Sequence, residues 1–142
     1  MIIQARNKQG VLCYWDDKLN ASKVKSPLEC IEQQNLVAHC SVKWPKQFLL
    51  MFHPINESDV DVRYRVKLAK CGLRKGVSDW LILYPSNGNP YLVIELKRSR
   101  KQDSSIKKEQ IDFLLNAEYV GAEACVCYGY KAALHVIEEY LK

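Results

Sequence analysis

The chain predicts an α/β domain, a mixed central sheet flanked by helices, and three observations lead there. Apolar runs of strand length at 48–52, 80–84, 91–96 and 122–128 alternate with segments of helical period. The second and third runs are joined by Ser86-Asn87-Gly88-Asn89-Pro90, turn chemistry that makes them a hairpin. The resulting order, helix, strand, helix, hairpin, helix, strand, helix, is that of helices packed around a mixed sheet. At 142 residues, 48% hydrophobic and 26% charged, the chain is long enough for one domain with a real core.

Residues 1–25 differ in character and read as an N-terminal extension, a possible hairpin and loop, ahead of the domain at 26–142. Ile2-Ile3, Asn7-Lys8-Gln9-Gly10 and Val11 to Trp15 suggest the hairpin. Ser26-Pro27-Leu28-Glu29 is a helix start with Ser at N-cap, Pro at N1 and Glu at N3. That helix carries Leu28, Ile31, Leu36 and Val37 and should end before Trp44-Pro45. After the 48–52 strand and a loop at His53-Pro54-Ile55-Asn56, Ser58 is expected to cap a second helix that Gly72 stops. Its apolar stripe, Val62, Val66, Ala69 and Leu73, predicts a buried face. Both hairpin strands are almost continuously apolar and should lie inside the sheet. Further helices are expected at 106–117 and 132–141, the last with Ala133, Val136, Ile137, Tyr140 and Leu141 inward.

The formal charge of +5 favours an anionic partner only where the cations cluster. Arg63, Lys67, Lys70 and Arg74 do so at helical spacing, a run of like charges that local stability does not explain. A polyanion alongside would explain it, and a solvated basic face is the plain alternative. Arg98, Arg100 and Lys101 form a second basic run. The six cysteines lack a Cys-x-x-Cys, which argues against zinc and for reduced, core-packed thiols in a cytoplasmic protein of a bacterium or a virus-infected cell. The N-terminus has no signal-peptide character and no segment is long enough to span a membrane.

Chemistry concentrates around the hairpin. Asp79 follows Gly76-Val77-Ser78 at the start of one strand, and Glu95-Leu96-Lys97 ends the next. Carboxylates among apolar neighbours lose hydration and need a cation or hydrogen bonds. Hard oxygen donors select Mg²⁺ or Mn²⁺, with the Leu96 carbonyl close enough in sequence to be a further ligand. Strand alternation puts Glu95 and Lys97 on one face, so Lys97 can orient a water. The plain alternative is a set of ordinary surface ion pairs. His53, His39 and His135 read as structural.

Together these motifs resemble the VRR-NUC (virus-type replication–repair nuclease) family of the PD-(D/E)xK, restriction-endonuclease-like superfamily, over roughly residues 26–142. The resemblance rests on an ordered set: Pro27-Leu28-Glu29 with Gln33, Phe52-His53-Pro54-Ile55-Asn56, Gly72, Gly76 to Asp79, Ile94 to Arg98, Glu109-Gln110, Gly121, Cys127-Tyr128-Gly129 and Ile137 to Leu141. It implies a restriction-endonuclease-like core. It also implies Asp79, Glu95 and Leu96 at the metal, Lys97 as catalytic lysine, Glu29 as the helical acid and Gln110 as a supporting polar residue. Ser78 stands where the family has proline, and Lys107 where it has Ser or Thr, so that Ser104 or Ser105 would cap the following helix instead.

Alternatives stay open at this level. Glu29 has the spacing of a capping box, Glu32 is a second acid one turn on, and Gln110 could face solvent. Residues 1–25 could lengthen a dimer interface or cover the site. The activity implied is Mg²⁺- or Mn²⁺-dependent hydrolysis of DNA phosphodiesters, structure-specific on branched DNA such as four-way junctions or flaps, by a possible homodimer. A non-catalytic nucleic-acid-binding module, a subunit needing a partner nuclease or helicase, and RNA cleavage are the rivals.

Overall fold

The computed structural model describes residues 1–54 and 61–142. Six strands form a single mixed sheet: β1 (Ile2–Arg6), β2 (Leu12–Asp16), β3 (Met51–Phe52), β4 (Trp80–Ile82), β5 (Leu92–Lys97) and β6 (Glu123–Tyr128), in the order β1-β2-β6-β5-β4-β3. The helices are α1 (Asp17–Asn20), α2 (Glu29–Lys43), α3 (Pro45–Phe48), α4 (Val62–Lys70), α5 (Lys108–Tyr119) and α6 (Tyr130–Tyr140), with a 3₁₀ turn at Lys101–Asp103. None of the described helices is long and apolar enough to cross a membrane.

β4 and β5 are antiparallel, as the turn sequence requires, with Asn87 and Gly88 both at positive φ in the connection. Asn87 also donates from its amide to the carbonyls of Glu139 and Tyr140, so this turn closes the end of α6. β5 lies at the centre and is buried along its whole length, parallel to β6. The extension is built into the same sheet: β1 and β2 form the hairpin, and β2 runs parallel to β6.

One face of the sheet packs Ile82, Leu92, Ile94, Leu96 and Cys127 under Leu36 and Cys40 of α2 and Ala133, Val136, Ile137 and Tyr140 of α6. The other face packs Val11, Cys13, Val93 and Val126 under Leu114 and Ala117 of α5. Truncating a side chain such as Leu36 or Ile94 to alanine costs about 2–5 kcal/mol of stability.

Several expectations are corrected. The 48–52 segment is not one strand: Pro45 opens the turn α3, and only Met51–Phe52 pairs with β4. The first strand of the hairpin pairs only through Ile82, leaving Leu83 and Tyr84 exposed. Ser26 does not cap α2. Its N–H and hydroxyl both donate to Asp103 Oδ2, at 2.9 and 2.7 Å, and the helix begins at Glu29 behind Leu28. The capping-box explanation of Glu29 therefore fails.

The expected cap at Ser58 lies outside the described residues; Asp61 accepts from the Arg63 N–H at the start of α4. Gly72 ends that helix with the paired bonds of a Schellman motif, Leu73 N–H to Leu68 and Gly72 N–H to Ala69. The stripe on α4 is not buried: Val62 is 70% and Val66 51% exposed. Periodicity marks a face but does not supply a partner for it. Neither Ser104 nor Ser105 caps α5, which starts behind Lys107. Leu141 lies past the end of α6 and is half-buried. Of the cysteines, 13, 40, 125 and 127 are buried as expected, but Cys30 and Cys71 are exposed.

Candidate active site

The site lies where β4 begins and β5 ends. Register pairs Trp80 with Ile94, so β5 runs on past the start of β4, and the Leu96 N–H has no β4 carbonyl to meet. Asp79 supplies the acceptor, with Oδ2 at 2.8 Å from the Leu96 nitrogen. The N–H and C=O of one strand residue point the same way, so the Leu96 carbonyl also faces the Asp79 side. The loop that delivers Asp79 presses on the first turn of α5. At Gly76, φ is +85° and a Cβ would stand 2.5 Å from backbone atoms of Glu109, so only glycine fits.

Strand alternation brings Glu95 and Lys97 to the α5 face, opposite Val126 and Tyr128 of β6. Lys97 Nζ lies 3.1 Å from Gln110 Oε1, 3.6 Å from Glu95 Oε1 and 3.9 Å from Glu29 Oε1. Gln110 is not solvent-facing. Its Nε2 donates to Glu95 Oε1 at 2.8 Å, while its Oε1 accepts from Lys97 and from the Lys107 N–H at 2.9 Å. One amide thus closes the start of α5 and fixes the acid and the lysine of β5. No local sequence signal carried that role, because the three partners come from two elements.

Glu95 is 1% and Lys97 4% exposed. Burial, then the charge of Asp79, pushes the Glu95 carboxyl up to about 9, with Lys97 opposing. Burial also raises Glu29, opposed by Lys97 and reinforced by Asp79. Glu95 Oε2 is buried and meets no hydrogen-bond donor among the described residues; only when protonated can it bond the Asp79 carboxylate beside it, and Gln33 Nε2 is buried without an acceptor. A carboxylate oxygen with no donor, held close to a second carboxylate, calls for a proton or a cation.

Among the described residues no three His, Cys, Asp or Glu side chains gather into a metal cage. Two carboxylates and a backbone carbonyl are a sparse hard-oxygen set. That suits Mg²⁺ or Mn²⁺, whose other positions water and substrate phosphate fill.

A pocket of about 380 Å³ opens in front of Asp79, lined also by Glu29, Cys30, Gln33, His53 and Leu96. Glu95 and Lys97 lie behind it, among the buried residues of β5. The two acids of α2 separate here. Glu29 lines the pocket and approaches Lys97, whereas Glu32 is buried and accepts from the Tyr130 N–H at 2.7 Å. His53 donates from Nδ1 to the Asp79 carbonyl at 2.6 Å, a contact the sequence did not disclose.

The basic residues divide into two groups. Arg63, Lys67, Lys70 and Arg74 are exposed on or just after α4. Arg98 is engaged with the carbonyls of Pro27 and Ser26. Arg100 holds Asp103 through both its Nε and Nη2 and reaches the Ser22 carbonyl. Lys101 Nζ sits 3.5 Å from the centroid of the Trp15 ring. These contacts make the 98–103 segment a structural tie between β5, the start of α2 and the extension.

Mixed sheet, flanking helices and strand order define a restriction-endonuclease-like α/β fold. A solved structure described as a VRR_NUC domain protein has this arrangement, with a TM-score of 0.70 and 20% identity over 82% of this chain and 90% of that chain. No protein-family model matches the chain, and no curated protein does.

Proposed function

We propose that the protein is a DNA endonuclease dependent on Mg²⁺ or Mn²⁺, acting on branched DNA. The observation that carries this reading is the Glu95 carboxyl, buried beside the Asp79 carboxylate with one oxygen meeting no donor and the other held by Gln110. A structural carboxylate would have both oxygens satisfied. When bound, the cation would lower the pKa of a water and offset charge on the phosphate under attack.

Asp79, Glu95 and the Leu96 carbonyl would hold the cation. Lys97, oriented by Gln110, donates to the attacking water and keeps its lone pair turned toward phosphorus. Glu29 accepts from that water on the pocket side. Arg63, Lys67, Lys70 and Arg74 contact flanking phosphates, which gives salt-sensitive affinity with little base readout. Such recognition suits DNA shape, as at a four-way junction or flap. A homodimer acting in the cytoplasm accords with this reading.

The test is a panel of blunt duplex, flap, splayed-arm and four-way-junction DNA incubated with the purified chain and Mg²⁺ or Mn²⁺. Branched substrates are expected to be cut, and Asp79→Ala and Lys97→Ala to bind without cutting. Ordinary cutting by either variant, or none by wild type on any substrate, overturns the reading.

A further inference from the structure

We propose that His53 is a positioning residue for Asp79, its imidazole replacing a strand bond that Pro54 cannot make. The inference rests on the nuclease reading for the cation that Asp79 would hold, and on independent geometry for the bond itself. Strand β3 pairs Met51 with Ile82 and Phe52 with Leu81. Just before it, the Leu83 N–H donates to the Leu50 carbonyl at 2.9 Å. In an antiparallel ladder the hydrogen-bonded pairs recur at every second residue. Leu50 with Leu83 is such a pair, so Phe52 with Leu81 is the next, and one further step falls on residue 54 with Asp79. Residue 54 is proline and has no N–H to donate. The ladder stops at Phe52, and the Asp79 carbonyl needs a donor from elsewhere.

His53 supplies it, with Nδ1 at 2.6 Å from that carbonyl oxygen. A carbonyl oxygen only accepts, so Nδ1 carries the hydrogen. The bond matters because Asp79 sits just outside the sheet: the β4–β5 pairing begins at Trp80, one residue later. The Asp79 side chain is tied to the Leu96 N–H at 2.8 Å, and the loop before it is packed at Gly76 against Glu109. The His53 bond fixes the peptide on the other side of Asp79, and with it the direction in which the carboxylate leaves the backbone. Metal ligands need that direction held to within about 0.5 Å. His53 lines the pocket in front of Asp79 and is exposed, so replacing it leaves no hole in the core.

The experiment uses the full chain, first in EDTA. In alkaline buffer, where imidazole is neutral, nitrogen NMR of wild type is expected to show His53 as the Nδ1–H tautomer, its signals identified by their loss in His53→Ala. The Leu96 amide reports on the Asp79 carboxylate that accepts its hydrogen. In His53→Ala that amide is expected to exchange with solvent on the order of tenfold faster, with the Val93 amide, deeper in β5, unchanged. His53→Asn, whose amide nitrogen occupies the δ position, restores the protection. So does His53→Ala combined with Pro54→Ala, which returns an N–H to the strand. Calorimetry with Mn²⁺ follows the same order: His53→Ala binds about tenfold more weakly than wild type, and both repaired variants recover.

An Nε2–H tautomer in wild type, an unmoved Leu96 amide in His53→Ala, or losses that neither His53→Asn nor the double variant recovers overturns the positioning role. If His53→Ala fails to fold, as judged by far-ultraviolet circular dichroism, the wild-type tautomer and the match of His53→Asn to wild type decide. Cleavage in Mg²⁺ is read separately. The expected results in EDTA without Mn²⁺ binding or cleavage keep the hold of His53 on Asp79 and defeat the nuclease reading, while cleavage with an unmoved Leu96 amide does the reverse.

Discussion

Replacing Glu95 by glutamine turns the buried carboxyl into a neutral group of the same shape, and the metal-free protein should respond in a pH-dependent way. In the folded state this carboxyl is pushed up to about 9, by burial first and Asp79 second. Unfolded, it titrates near the ordinary value of 4.5. Between those values the folded protein holds a proton that the unfolded chain has released. Stability is therefore fully present below about 4.5 and is lost as pH rises toward 9.

The slope for one group is about 1.4 kcal/mol per pH unit. From pH 6 to 8 this is roughly 2–3 kcal/mol, or a fall in Tm of roughly 5–10 °C for a domain of this size. Glu95→Gln still accepts from Gln110 through its amide oxygen, so its Tm should be nearly flat over that range and above wild type at pH 8 in EDTA. Manganese binding to wild type must release the proton, so affinity should rise about tenfold per pH unit between 6 and 8. The assays are thermal melts in EDTA and calorimetry with Mn²⁺. A wild-type Tm that does not fall over this range, or Mn²⁺ affinity independent of pH, refutes the reading that buried Glu95 holds a proton in the metal-free protein.

The remaining predictions are narrower. Gln110→Ala should destabilise by about 1–3 kcal/mol through loss of charged hydrogen bonds, and should lower kcat more than it raises KM, because Lys97 loses its orientation; melts and steady-state kinetics separate the two, and an effect on KM alone refutes the positioning role. Glu29→Gln should slow cleavage at least tenfold with stability within about 0.5 kcal/mol of wild type, since no capping bond is lost. Arg63→Glu with Lys67→Glu should weaken DNA binding and flatten its salt dependence by about two phosphate contacts, read from affinity against salt concentration.

Much of the architecture was legible because its signals are local. Asn87-Gly88 set the β4–β5 hairpin, Pro45 ended α2 and Gly72 ended α4. That Asp79, Glu95 and Lys97 lie close together was legible because strand alternation and one hairpin suffice to gather them. What escaped is non-local. Ser26 was drawn away from its cap by Asp103, 77 residues on, and Glu32 was claimed by Tyr130, 98 residues on. The pairing of β2 with β6 spans the chain, and neither strand carries a mark of the other. The α4 stripe had the right period, but periodicity cannot say whether anything covers it.

The central place of β6 has a consequence for biosynthesis. β5 cannot be flanked on both sides, nor Lys97 seated opposite Tyr128, until residue 128 has left the ribosome. Closing contacts across such long intervals comes late, since the chain loses loop entropy before the contacts repay it. Glu95 and Lys97 are thus seated only once most of the chain has been made, and a chain stopped before β6 lacks one wall of their site.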